Sequence, residues 1–241
     1  MAERAAPWLS VVVPFYNEED NVEPLHRELD AALGEVPGGV EFVYVDDGSR
    51  DGTRERLLGL AKRDPRIRVL RLDPNSGQSA AFEAGFRAAR GEVTATLDGD
   101  LQNDPADIPR LLAALDRADV VNGIRVNRRD GLVRRISSRI GNGFRNAVTR
   151  ESVTDVGCSL RVFRTAYAKR VKLFRGMHRF LPTLLRLEGA RVVEMPVNHR
   201  ARRHGSSKYG IGNRALVGFV DVLAVRWMQS RVRRYEVREG E

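Results

Sequence analysis

Two aspartates flanking a glycine, Asp98-Gly99-Asp100, follow the apolar run Val93–Leu97 and lead into Leu101-Gln102. Carboxylates at i and i+2 beyond a strand end can face one ligand if the chain turns at the glycine. Hard oxygen donors of this kind suit Mg2+ or Mn2+, which keep coordination positions for phosphate oxygens and water. Taken alone, the same residues also describe an Asp-rich turn capping a helix that starts at Pro105. Other polar clusters share the setting: Pro14-Phe15-Tyr16-Asn17-Glu18, then Asp46-Asp47-Gly48-Ser49 with Asp51-Gly52-Thr53, then Asn75-x-Gly77 with Gly85. For Asp46, Ser49 and Asp51 a hydrogen-bonded turn and a ligand contact stand as equal readings. Further along come Gly123-x-Arg125, Asp155-x-Gly157-Cys158-x-Leu160-Arg161 and Arg202-x-x-Gly205-x-Ser207-Lys208-Tyr209. Guanidinium groups offer phosphate oxygens a permanently charged, bidentate fork.

The elements that must position these groups alternate. β-branched runs at Leu9–Phe15, Glu41–Val45, Ile67–Leu72, Val93–Leu97 and Asp119–Ile124 predict strands. Helical spacing covers Asp20–Leu33, Thr53–Arg63, Ser79–Arg90 and Pro105–Arg117. Continuous apolar strands separated by helices predict a parallel sheet covered on both faces, with ligands at the carboxyl ends of the strands. The second half is less regular. Leu132, Ile136, Ile140, Phe144 and Val148 recur every four residues with arginines between them, an amphipathic basic helix with Gly141–Gly143 as a candidate interruption. Phe174–Leu187 predicts a helix, Val192–Val197 a strand, Arg200–Gly210 a basic loop, and Ile211–Met228 a closing amphipathic helix.

Charge divides along the same boundary. The 241 residues carry a formal net charge of +9, but residues 1–124 hold 14 Lys and Arg against 23 Asp and Glu, and the rest hold 27 against 9. A half at −9 therefore adjoins a half at +18, and the basic half calls for an anionic partner. Length and an apolar fraction of 42% suit one α/β domain with a sizeable core and exclude a disordered chain. The single cysteine excludes an intramolecular disulfide. No P-loop and no G-x-G-x-x-G follow the first strand, so phosphate binding of those kinds is not expected. The four histidines show no zinc spacing and read as surface or loop residues. The N-terminus lacks the apolar core of a secretory signal. The best apolar window, Ile211–Met228, is broken by Arg214, Asp221 and Arg226 and is not expected to span a bilayer.

The ordered array of strand-end motifs resembles glycosyltransferase family 2, whose members have the GT-A fold. The D-L-Q ending and the arginine motifs downstream narrow the resemblance to polyprenyl-phosphate sugar synthases of the dolichyl-phosphate mannose synthase type, over about residues 8–210. The resemblance implies a Rossmann-like, mostly parallel α/β sheet with helices on both faces and a basic C-terminal acceptor-side extension. Residues 1–241 form one domain in this reading, with 8–124 as the nucleotide-sugar and metal half and 125–241 as the acceptor half. It also implies roles. Pro14, Tyr16, Glu18, Asp46 and Asp47 line the base and ribose pocket, and Asp98 sits against the nucleotide. Asp100 and Gln102 hold Mg2+ or Mn2+. Arg125, Arg134 and Ser138 hold the acceptor phosphate, and Arg202 reaches the donor diphosphate or the acceptor phosphate from a loop, with Lys208 near it.

The expected reaction is sugar transfer, with inversion, from a nucleoside diphosphate donor (GDP-mannose or a UDP-sugar) to dolichyl or undecaprenyl phosphate. A phosphate acceptor arrives anionic and needs no general base, whereas a hydroxyl does. Family relatives often carry transmembrane helices after this domain; here the chain stops at Glu241. Docking on the anionic inner face of the cytoplasmic membrane is therefore expected to use Leu132–Val148 and Ile211–Met228, with packing in the core or in a homodimer as the competing use of the second. One alternative is a soluble enzyme acting on a saccharide hydroxyl, for which Asp155 is the obvious candidate base. A remote alternative, nucleic-acid binding by the basic half, leaves the acidic constellation without a purpose, so no nucleic-acid partner is expected.

Overall fold

Every residue of Leu9–Phe15 (β1) and of Val40–Asp46 (β2) is buried, as β-branched strands covered on both faces should be. A computed structural model describes residues 6–126, 132–201 and 214–233. Ile67–Arg71 (β3), Val93–Thr96 (β4), Arg161–Arg164 (β6), Val120–Arg125 (β5) and Val192–Val197 (β7) complete a seven-stranded sheet in the order β3-β2-β1-β4-β6-β5-β7. Strands β1 to β4 are parallel, as expected. β6 runs antiparallel to both β4 and β5, with Thr96 opposite Arg161 and Asn122 also opposite Arg161, while β5 and β7 are again parallel. The sheet is mostly parallel, as expected, with β6 as its one antiparallel strand among the described residues.

Alternate residues of the strands feed two cores. Val11, Val13 and Phe15 of β1 face the helices Glu19–Leu33 (α1), Thr53–Arg63 (α2) and Ile108–Ala113 (α4). On the opposite face Val12, Val43 and Val45 pack with Gln78–Ala88 (α3), Thr165–Arg170 (α6), Leu181–Leu187 (α7) and Arg214–Arg231 (α8). The helix at Leu132–Thr149 (α5) runs unbroken through Gly141–Gly143 and packs on α8. Two of the expected helices are shorter than their periodicity suggested. Residues 105–117 split into α4 flanked by 3-10 turns, and 174–187 becomes a 3-10 turn at Met177–Phe180 followed by α7. A proline sits in the first turn of both α4 and α7, where its missing N–H costs nothing and restarts the helix.

Two histidines are not the surface residues expected of them. His26 is buried on α1, with Nδ1 2.8 Å from the Tyr44 hydroxyl and Nε2 3.4 Å from Asp64. His178 lies 2.8 Å from the Ser79 hydroxyl, and burial pushes its pKa down to about 3. Cys158 is buried and free, its thiol pushed up to about 11 by desolvation, so it packs as an inert small hydrophobe.

A candidate active site at the ends of β1, β2 and β4

The chain leaves β3 at the sheet edge and returns through α3 to pair β4 beside β1. This reversal of strand order opens the crevice in which doubly wound sheets bind ligands. The loops after β1 and β2 are laced together across it. The Asn17 N–H donates to Ser49 Oγ (3.0 Å), the Arg50 N–H to Asn17 Oδ1 (2.8 Å), and the Glu18 N–H to Thr53 Oγ1 (2.8 Å). Asp51 accepts from the N–H and hydroxyl of Thr53 at the start of α2, which is the turn role rather than an open ligand position. Asp46 is fully buried and accepts from the Ser49 N–H (2.9 Å), while its Oδ2 has no partner.

Asp47 turns towards the other side. Its carboxylate accepts from the N–H groups of Ser76 (2.8 Å) and Gly77 (2.9 Å) and from the Asn75 side chain (3.0 Å), which explains the Asn75-x-Gly77 spacing. Burial raises its pKa above the usual carboxylate range. Gly48 makes the turn between the two loops at φ +71, and a Cβ there would lie 2.9 Å from the Asn75 nitrogen.

The Asp98-Gly99-Asp100 segment presses against the end of β1. A Cβ on Gly99 would lie 2.8 Å from the Phe15 ring and 3.0 Å from the Pro14 carbonyl oxygen. Leu101 then adopts φ +61 with its side chain buried. That left-handed residue folds the chain back so that the Gln102 N–H donates to Asp100 Oδ1 (3.2 Å). Asp98 accepts a 2.6 Å hydrogen bond from Gln78 Nε2. Desolvation, and then repulsion from Asp100, push Asp98 up to about 6, with Ser159, Arg161 and Arg125 acting the other way. Two crowded carboxylates whose negative charge is under-compensated are a donor set that a small hard cation would relieve. Among the described residues no three His, Cys, Asp or Glu side chains form a cage. A cation at Asp100 would therefore complete its shell with phosphate oxygens and water, as Mg2+ commonly does.

Basic groups close the crevice from the other half of the sheet. Arg125, at the end of β5, is bound bidentately by Asp155, whose Oδ1 also accepts from the Gly157 N–H (3.2 Å). The segment after β7 is bonded to the D-L-Q turn: the Arg200 N–H donates to the Gln102 carbonyl (2.8 Å), and the Arg200 guanidinium bridges Glu28 and Asp104. Arg134 and Ser138 belong to α5, but their side chains lie outside the described residues, as do Arg202 and Lys208 entirely. Tyr16 and Glu18 sit on the β1 loop at intermediate exposure. The structure thus brings Pro14, Tyr16, Glu18, Asp46, Asp47, Asp98, Asp100 and Gln102 to one end of the sheet, with Arg125 close enough to act electrostatically on Asp98.

Residues 10–172 match the family model for Glycosyl transferase family 2. The chain belongs to this family. This glycosyltransferase is 42% identical over 238 residues to dodecaprenyl-phosphate galacturonate synthase of Rhizobium johnstonii, covering 96% of this chain and 69% of that protein. It is 41% identical over 206 residues to undecaprenyl-phosphate 4-deoxy-4-formamido-L-arabinose transferase of Edwardsiella ictaluri, covering 85% of this chain and 63% of that one. The chain thus spans roughly two thirds of the length of these curated relatives. Glucosyl-3-phosphoglycerate synthase of Mycobacterium tuberculosis, solved with Mn2+, UDP and phosphoglyceric acid, superposes with a TM-score of 0.69 at 18% identity, over 96% of this chain and 81% of that one. A mannosyltransferase of Pyrobaculum calidifontis, solved with GDP-mannose and Mn2+, gives 0.62 at 19% identity, over 94% and 65%. The glycosyltransferase has the GT-A fold these neighbours share.

Several residues of the site carried no distinguishing sequence signal. Gln78 lies just before the helix expected at Ser79–Arg90, yet it opens α3 and donates to Asp98. Arg161 stood within a recognised motif without a role. It is buried in β6, donating to Asn122 Oδ1 (2.8 Å) and to the carbonyls of His178 (3.1 Å) and Val156 (2.8 Å). Asn103 accepts from the Asp98 N–H and from the Ser159 hydroxyl, tying the D-G-D turn to the segment that leads into β6.

Proposed function

We propose that this glycosyltransferase moves a sugar from a nucleoside diphosphate to a polyprenyl phosphate, with inversion at the anomeric carbon, at the cytoplasmic face of a membrane. The 42% identity with a dodecaprenyl-phosphate galacturonate synthase, across 96% of the chain, carries the reading. The acidic residues gathered at the ends of β1, β2 and β4, with Arg125 near Asp98, support the reading.

In this reading Pro14, Tyr16, Glu18, Asp46 and Asp47 shape the base and ribose pocket, the last two through the loops they hold. Asp98 orients the nucleotide, and Asp100 with Gln102 holds Mg2+ or Mn2+. When bound, the cation neutralises charge on the leaving nucleoside diphosphate. The chain's own residues then align two anions that repel one another. Arg125, Arg134, Ser138, Arg202 and Lys208 surround the acceptor phosphate and hold its oxygen in line with the anomeric carbon. No residue has to remove a proton, because a phosphate monoester with a second pKa near 6 is already nucleophilic at neutral pH.

No described helix is long and apolar enough to cross a membrane. In this reading α5 and α8, amphipathic and flanked by arginines, contact the bilayer that holds the acceptor. The test incubates the protein with Mn2+, labelled UDP- and GDP-sugars, and one of three acceptors: undecaprenyl phosphate, undecaprenol or a soluble saccharide. Labelled lipid from the phosphate alone is the expected result. Comparable transfer to undecaprenol or to the saccharide overturns the reading.

A further inference from the structure

The C-terminal end of α5 meets α7 and α8 around a cleft of about 400 Å³ that shares no residue with the strand-end site. Its lining includes Arg150, Arg186 and Arg226 together with Glu151 and Gln229. The one carboxylate is occupied: Glu151 accepts from Arg186 Nη1 (2.8 Å) on one oxygen and from the Thr183 hydroxyl on the other. Arg150 and Arg226 make no ion pair among the described residues. Three guanidinium groups against one carboxylate leave two positive charges uncompensated. Gln229 adds a buried side-chain oxygen with no hydrogen-bond donor among the described residues.

Beside this cationic cleft lies an uncovered apolar face. On α8, Val220 is 56% exposed, Leu223 45% and Trp227 63%. Phe144 of α5 stacks on Phe219 of α8 at 5.4 Å between ring centroids, and both rings remain partly in solvent. At 100° per residue, Arg226 falls between the face of α8 packed through Val222 and Val225 and the face carrying Leu223 and Trp227. Anion-binding groups and apolar surface therefore adjoin along one helix. A free phosphate would leave Trp227 in water, and a neutral surface would leave Arg150 and Arg226 uncompensated. An amphiphile with an anionic head satisfies both.

We propose that this cleft binds the phosphate of an anionic phospholipid headgroup, with Arg150, Arg186 and Arg226 around it and the Val220–Leu223–Trp227 face lying at the acyl boundary. A glycerol hydroxyl on the headgroup would supply the donor that Gln229 lacks. The cleft shares no lining residue with those assigned to the acceptor phosphate. It rests on the preceding reading only in placing the enzyme at a bilayer.

The test is co-flotation with phosphatidylcholine vesicles made with and without phosphatidylglycerol. The wild type is compared with the double variant Arg150→Gln/Arg226→Gln and with a charge-matched control on α2, Arg54→Gln/Arg56→Gln. Basic residues at an anionic surface contribute enough that losing two should reduce partitioning roughly tenfold or more. Binding that depends on phosphatidylglycerol and falls tenfold in the cleft variant but not in the control is the expected result. Equal binding by all three proteins overturns the proposal. So does a melting-temperature rise with soluble glycerol phosphate, lost in the cleft variant, without any dependence on vesicle charge; that outcome assigns the cleft to a free phosphate. Sugar transfer to a short-chain prenyl phosphate in detergent is measured on the same proteins. Transfer that is normal in the cleft variant shows that the fold is intact, and transfer absent from the wild type fails the proposed reaction and leaves the vesicle result to stand on its own.

Discussion

The guanidinium of Arg125 lies flat against the carboxylate of Asp155, Nε to Oδ2 and Nη2 to Oδ1, both at 2.8 Å, with the Arg125 N–H closing a third contact to Oδ2 at 3.2 Å. This pair bears on the choice of acceptor. Both oxygens of Asp155 are engaged by the Arg125 guanidinium, so Asp155 is ill placed to activate a hydroxyl. An acceptor that is already anionic has no need of it.

Removing one partner of this buried pair should be costly. Asp155→Ala leaves Arg125 without its counter-charge and should lower stability by about 3–5 kcal/mol in a denaturant melt. The double variant Arg125→Met/Asp155→Ala should recover part of that loss. Strict additivity of the two single variants would show that the pair is not coupled.

Asp100→Ala should leave the melt close to wild type in the absence of ligand, because Asp100 belongs to neither apolar core and its loss relieves the repulsion it exerts on buried Asp98. Turnover should fall by a factor on the order of 10² or more, since a cation's charge stabilisation amounts to several kcal/mol. The rise in melting temperature that UDP or GDP produces with Mn2+ should vanish as well. In the wild type, a chelator should abolish transfer and Mn2+ or Mg2+ restore it. Activity that survives chelation would remove the cation from the mechanism.

Gly99→Ala tests the contact between the D-G-D turn and β1. The new methyl group would meet the Phe15 ring at 2.8 Å and the Pro14 carbonyl oxygen at 3.0 Å. Overpacking of this kind typically costs about 1–3 kcal/mol. Asp98 and Asp100 must shift to relieve it, so kcat/KM should fall further than stability alone explains. Wild-type kinetics would mean that the turn is not held against β1.

His178 should make stability depend on pH. Burial, with Arg179 and Arg161 nearby, lowers its pKa from 6.5 to about 3. The unfolded chain therefore binds a proton below about 6.5 that the folded chain refuses until about 3. Its contribution is complete above pH 6.5 and is lost as the pH falls towards 3, by at most about 1.4 kcal/mol per pH unit. Melts of wild type and His178→Asn between pH 7 and pH 4 should diverge, with the variant losing less. Parallel curves would place His178 in solvent.

Much of the first half was legible because local pattern and tertiary role coincide there. β1 and α2 occupy the spans expected of them, and the polar clusters do stand at the ends of β1, β2 and β4. β-branched runs, apolar helical spacing and Gly-Asp turns are all determined within a few residues, and a parallel sheet places successive strand ends on one side by construction.

The sequence by itself determined the alternation of strands and helices, the separation into an acidic and a basic half, and the family. Tertiary structure alone decided the antiparallel insertion of β6, because four residues with two arginines carry no strand period and acquire one only by pairing with β4 and β5. It likewise decided that Asp47 would clamp the 75–77 loop, that Arg161 would be buried beneath Asp98, and that Asp155 would hold Arg125. Each of these partnerships joins residues 20 or more positions apart, and nothing local to either partner encodes the distance that only folding closes.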